Sequence, residues 1–89
     1  MNNTQTYNGW TNYETWNVAL YINNEYEMYM TAIEWVKNRL WDNQSVDYNS
    51  FRHTLNSLFG DKTPDGVWWD DDTLDIQELT EMLHELKDH

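Results

Sequence analysis

Residues 24–42, NEYEMYMTAIEWVKNRLWD, decide the fold. At helical spacing Tyr26, Tyr29 or Met30, Ile33, Val36 and Leu40 form one apolar stripe, while Glu34, Lys37, Asn38 and Trp41 lie mostly elsewhere. Asn24, followed three residues on by Glu27, has the form of a capping box in which Asn24 accepts an unpaired amide of the first turn. Lys37 and Arg39 near the other end suit the negative pole of the helix dipole. The stretch therefore predicts a helix over about residues 25–42, the longest element of the chain.

Toward the N-terminus, Thr11-Asn12-Tyr13-Glu14 repeats the capping signal, with Thr11 as cap and Glu14 reaching back to it. The helix it starts is predicted to run to about Ile22, with Tyr13, Trp16, Ala19 or Leu20, and Asn23 at three- and four-residue steps. Asn23-Asn24 interrupts it. Residues 1–9 are polar, end in Gly9, and read as a flexible or draped tail.

Toward the C-terminus, Asn43-Gln44-Ser45 is a loop and Asp47 the next cap, with Val46 stapling to Phe51. Tyr48, Phe51, Leu55 and Leu58-Phe59 make the expected buried face, and Gly60 stops the helix. Thr63-Pro64-Asp65-Gly66 is a turn with Pro in its first central place. Val67-Trp68-Trp69 is too short for a helix and reads as extended or irregular. Asp75 caps the last helix, Glu78 is its box partner, and Leu74 staples to Leu79. Ile76, Leu79, Met82 or Leu83, and Leu86 face inward; Glu78, Glu81, Glu85 and Asp88 form outer rows. The prediction is an all-α, compact bundle of about four helices with an irregular acidic, Trp-containing loop before the last one. Residues 1–89 form a single domain.

A core for a chain of 89 residues is small, and without cysteine no disulfide supplements it. Six Trp, six Tyr and two Phe carry the burial, each able to cover roughly 150–250 Å². No apolar run approaches the ~20 residues of a membrane span, and the first residues lack a signal peptide's charge and apolar stretch. A cytoplasmic protein is expected.

The net charge of -11 is the stronger constraint on function. It is concentrated: residues 61–89 carry ten acids against Lys62 and Lys87. Such a surface repels nucleic acid and anionic membranes, which reward Lys and Arg. It attracts basic partners, including proteins that themselves bind nucleic acid.

Asp61-x-Thr63-x-Asp65-Gly66-x5-Asp72 aligns with a twelve-residue calcium loop, with oxygen at positions 1, 3, 5 and 12 and Gly at position 6. Thr63 at position 3, Pro64 at position 4 and the shorter Asp at position 12 depart from that pattern, so an acidic turn is the better reading. A divalent-metal-responsive module using Asp61, Thr63, Asp65 and Asp72 is the alternative. His53, His84 and His89 are scattered, and His84 among Glu81, Glu85 and Asp88 is ordinary for a helix. There is no Cys nucleophile, no Gly-rich phosphate loop and no Ser in a nucleophile elbow. Neither catalysis nor a cofactor is expected.

Trp68 and Trp69, adjacent in an extended segment, point opposite ways, which suits one indole in the core and one at an interface. Carboxylates three and four residues apart on a helix recur about every 5–6 Å, close to the phosphate spacing of a nucleic-acid strand. Asp70, Asp71, Asp72, Asp75, Glu78, Glu81 and Glu85, with Trp68 and Trp69, are thus the candidate partner-binding residues. The plainer reading of those acids is a solvated outer face.

Residues 8–20, NGWTNYETWNVAL, resemble the opening of a group of small proteins of phages, plasmids and bacterial genomes. The resemblance implies a mobile-element context, in which small acidic proteins include anti-CRISPR and anti-restriction inhibitors. It transfers no catalytic residue; Thr11 and Glu14 read as a cap, and Trp10, Tyr13 and Trp16 as packing. The expectation is a non-enzymatic inhibitor in the host cytoplasm, mimicking DNA with its acidic face and docking on a basic host protein within a nucleic-acid-binding complex. The remaining alternative is an adaptor that self-associates, as a homodimer, through its aromatics.

Overall fold

Glu25 is the only residue separating the first two helices, α1 (Tyr13–Asn24) and α2 (Tyr26–Trp41). They are followed by α3 (Tyr48–Phe59), α4 (Ile76–Glu85) and a closing 3-10 turn, Leu86–Asp88. The computed structural model describes residues 6–88. Among these the fold is an all-α bundle, its only β pairings being the isolated bridges Tyr7–Trp10 and Lys62–Trp68.

The caps explain where the helices begin. Asp47 accepts the Ser50 amide and Asp75 the Glu78 amide, as expected. The caps of α1 and α2 each lie one residue beyond the expected position. Asn12 accepts the Thr15 amide at 2.8 Å, because the Thr11 hydroxyl is turned to Asp75. Glu25 accepts the Met28 amide at 3.0 Å, while Asn24 donates back to the Leu20 carbonyl and stays with α1. Gly60 ends α3 with φ +83, a backbone region that glycine enters without strain.

The core is one cluster drawn from every helix, including Val18 and Ile22 of α1, Ala32 and Val36 of α2, Phe51 and Leu55 of α3, and Leu79 and Leu83 of α4. The inward face of α4 agrees with the sequence. That of α1 does not: Thr15, Asn17, Val18, Ala19 and Ile22 are buried, while Tyr13 and Asn23 are exposed and Trp16 is half-buried. The aromatic spacing misled because Tyr7, Tyr13 and Trp16 pack on one another outside the core, with centroids 4.8–5.6 Å apart. In α2 the inward residues are Met28, Ala32, Ile33 and Val36, so Tyr26, Met30 and Leu40 are left exposed. Leu58 of α3 is likewise exposed.

The expected tail of residues 1–9 lies outside the described residues at 1–5. The described part, from residue 6, is anchored. Tyr7 and Trp10 exchange both backbone hydrogen bonds, at 2.7 and 2.8 Å, around Asn8 (φ +50) and Gly9 (φ +90). Positive φ at both central residues is the mark of the tight turn that Asn-Gly favours.

Candidate partner-binding site

The two neighbouring indoles part as their alternation required. Trp69 is wholly buried, its Nε1 donating to the Gly60 carbonyl at 2.9 Å and its own carbonyl accepting the Tyr48 hydroxyl at 2.6 Å. Burial pushes the Tyr48 hydroxyl well above its ordinary pKa, so it stays a donor. Trp69 is therefore core, not contact surface. Trp68 is 48% exposed, with the Lys62 ammonium 5.2 Å from its ring centroid.

The loop before them is built inward rather than around an ion. Asn17 of α1, wholly buried, donates to Asp65 at 2.8 Å and accepts the Thr63 hydroxyl at 2.6 Å. Thr63 Oγ1 also accepts the Val67 amide, and the Gly66 amide closes the turn onto the Thr63 carbonyl. The Tyr21 hydroxyl is raised by desolvation and by its hydrogen bond to Asp65. Thr63 and Asp65 are thus committed to holding the loop on α1. Asp61, Thr63, Asp65 and Asp72 do not converge as a calcium loop requires, and no group of three or more His, Cys, Asp or Glu among the described residues is arranged to hold a metal. His84, the centre of the other metal pattern, bonds the Val46 carbonyl through Nε2 at 2.8 Å.

The seven candidate acids do not make one array. Asp70 lies 3.9 Å from Arg52 of α3. Asp71 folds onto the Thr73 amide at 2.8 Å, while Asp72 is exposed. Asp75 and Glu78 belong to a clasp between helix starts. The Thr11 hydroxyl donates to Asp75 at 2.6 Å, the Thr11 amide to Glu78 at 2.9 Å, and the Asp75 amide to Thr15 Oγ1 at 2.9 Å. Asn12 completes it by donating to the Thr73 carbonyl at 2.7 Å. Two helix N-termini, each partly positive, meet here, and the carboxylates of Asp75 and Glu78 offset their repulsion. The Thr11 hydroxyl, then the Glu78 amide, hold the Asp75 carboxyl below its ordinary pKa. The expected Glu78 bond to its own cap is replaced by one to Thr11, just ahead of α1.

Glu81 and Glu85 remain exposed, one and two turns along the same face of α4 as Glu78. Together these three line an open groove of about 400 Å³. Its other walls include Trp10 of the N-terminal turn, Tyr29 of α2 and Met82 of α4. Trp10 and Tyr29 are half-buried rings and Met82 is buried, so an aromatic and apolar floor lies under a carboxylate rim. No base among the described residues forms an ion pair with Glu78, Glu81 or Glu85; the described ion pair is Arg52–Asp70. The groove offers negative charge over aromatic faces, a setting that suits a cation with a flat or apolar body.

Sequence reasoning found the three glutamates but not their aromatic neighbours. Trp10 carried a usable signal, since Asn8-Gly9 marks a tight turn that folds the preceding residues back on it. Tyr29 stood with Met30 as alternatives for the inward stripe of α2, but its place opposite α4 is set by helix packing.

A small all-α module with an acid-rimmed groove is the class that the fold and site define. The chain belongs to a family of unknown function, DUF7249, which matches residues 3–89. No curated protein and no solved structure matches it.

Proposed function

We propose that this protein is a non-catalytic binding module that docks its acidic face on a basic, nucleic-acid-binding surface of a host protein, as an inhibitor of the anti-CRISPR or anti-restriction kind. The observation that carries the reading is the row Glu78, Glu81 and Glu85, which lines an open groove with no base among the described residues paired to it. A net charge of -11 adds long-range attraction for a basic partner. The likeness of residues 8–20 to phage and plasmid proteins supports a host defence enzyme as that partner. Glu81 and Glu85 lead the contact, with Asp72 and Trp68 as exposed residues of the neighbouring loop. Asp70 and Asp71 contribute charge from the same loop, whereas Asp75 and Glu78 chiefly position α4.

The test is competition with duplex DNA for restriction endonucleases and CRISPR effector complexes. The protein displaces DNA from its target at about 50 mM salt, loses that ability by about 500 mM, and is weakened by E81Q/E85Q. Binding that ignores salt, or inhibition that survives the double substitution, counts against the reading.

A second reading has its own observation. Tyr26, Met30 and Leu58 are exposed and, with Phe59, border a shallow groove of about 420 Å³ between α2 and α3. Such a surface suits self-association. Sedimentation of the wild type and of Leu58→Lys decides it, a concentration-dependent dimer lost in the variant being the supporting result.

A further inference from the structure

Resting on the acidic-face reading above, we infer that the groove beside α4 receives one arginine side chain of the partner, stacked on the ring of Trp10 and bound through its guanidinium by Glu81 and Glu85. Three features of the site select that occupant. The rim carries carboxylates at i, i+3 and i+7 of one helix (Glu78, Glu81, Glu85), so neighbouring acids stand about 5–6 Å apart, within reach of one forked guanidinium. Trp10 lines the groove, and a planar, weakly hydrated guanidinium stacks on an indole face where a compact ammonium keeps its water. Met82 supplies apolar contact for the methylene stem, and Met is soft enough to fit it.

Other ligand classes fit poorly. A phosphate-bearing ligand meets three carboxylates and no described base. A divalent ion has no set of three converging acids among the described residues. A wholly apolar ligand leaves the rim carboxylates to be desolvated without a partner. One of the Glu78 oxygens already accepts the Thr11 amide, and one Glu81 oxygen the Gln77 side-chain amide at 3.3 Å, so Glu78 braces the rim while Glu81 and Glu85, both exposed, keep acceptor oxygens for the ligand.

The experiment is an NMR titration of the full chain with three peptides: acetyl-(Gly-Arg)4-amide, its lysine counterpart and its citrulline counterpart. The arginine peptide shifts the Trp10 indole N–H and the amides of Glu81 and Glu85. The lysine peptide binds there at least about threefold more weakly, and the neutral citrulline peptide does not bind. E81Q/E85Q, on exposed positions that leave the melting temperature unchanged, removes the arginine preference. Trp10→Leu removes it as well if the variant's spectrum shows the fold intact. Equal titration by the arginine and lysine peptides, or shifts centred on Asp70–Asp72, overturns the arginine groove but leaves the acidic-face reading standing. Failure of the DNA competition described above overturns that reading independently. No shift with any peptide overturns the groove inference outright.

Discussion

The Thr11 hydroxyl donates to the Asp75 carboxylate at 2.6 Å, joining the start of α1 to the start of α4 across 64 residues of chain. Two helix N-termini meet there, and a single carboxylate serves both, accepting from Thr11 and from the Glu78 amide. The groove depends on this clasp, because it fixes α4 beside the turn that carries Trp10.

The clasp makes a pH prediction. Hydrogen bonds from Thr11 and the Glu78 amide hold Asp75 below its ordinary pKa in the folded chain. A depressed carboxyl contributes stability that is fully present above the unfolded value, about 3.9, and is lost as pH falls through the lower folded value. Asp47 acts in the same sense: burial raises it, but the Ser50 amide and the Ser50 and Ser45 hydroxyls outweigh burial and lower it. Melting temperature therefore falls on acidification below about pH 4. Asp75→Asn keeps a good cap but loses the charge, so it costs about 0.5–1 kcal/mol at neutral pH and shows a shallower acid limb. An unchanged acid limb in the variant contradicts this assignment.

The adjacent indoles are expected to answer substitution very differently. Trp69→Ala empties a wholly buried site and leaves the Gly60 carbonyl without the indole N–H, at a cost of about 3–5 kcal/mol. Trp68→Ala removes an exposed ring and one contact with Lys62, costing about 1 kcal/mol or less. Urea unfolding of the two variants measures the difference.

Asn17 and Thr63 form a coupled buried pair. Asn17→Leu leaves the buried Thr63 hydroxyl without its acceptor, removes one of the donors to Asp65, and costs about 2 kcal/mol. Thr63→Val also removes the acceptor of the Val67 amide. The double variant is less destabilised than the sum of the singles by about 1 kcal/mol, which a double-mutant cycle reads directly. Strict additivity means the two side chains act separately.

Glu25 is a poor residue for the cap it occupies, since shorter acids and hydroxyls hold the first-turn amide better. Glu25→Asp preserves charge and raises stability by about 0.5 kcal/mol, or about 2–4 °C in melting temperature. Calorimetry showing a decrease implies that the longer side chain is needed to span α1 and α2.

Much of the bundle was legible in local chemistry. Asp47 and Asp75 cap as read, Gly60 ends α3 and Thr63–Gly66 turns, because each of these depends on hydrogen bonds within a few residues. The inner face of α4 was also legible, because its apolar positions are separated cleanly from its acids. The helices α1 and α2 were harder. Aromatics occur around most of their circumference, and periodicity cannot say which rings meet the core and which, like Tyr13 and Tyr26, stay outside.

The sequence by itself determined the helical class, three of the four helices to within a residue or two, the opposed fates of Trp68 and Trp69, and a strongly negative surface. Those follow from spacing, caps and charge count, which short segments of chain carry. Only the tertiary structure decided which acids remain available. It turned Asp75 and Glu78 to Thr11, just ahead of α1, and Asp71 to its own loop, set Asp70 beside Arg52, and brought Trp10 and Tyr29 alongside Glu81 and Glu85. The physical reason is that a carboxylate's partners are set by which helices pack together, and contacts across tens of residues leave no period in the chain.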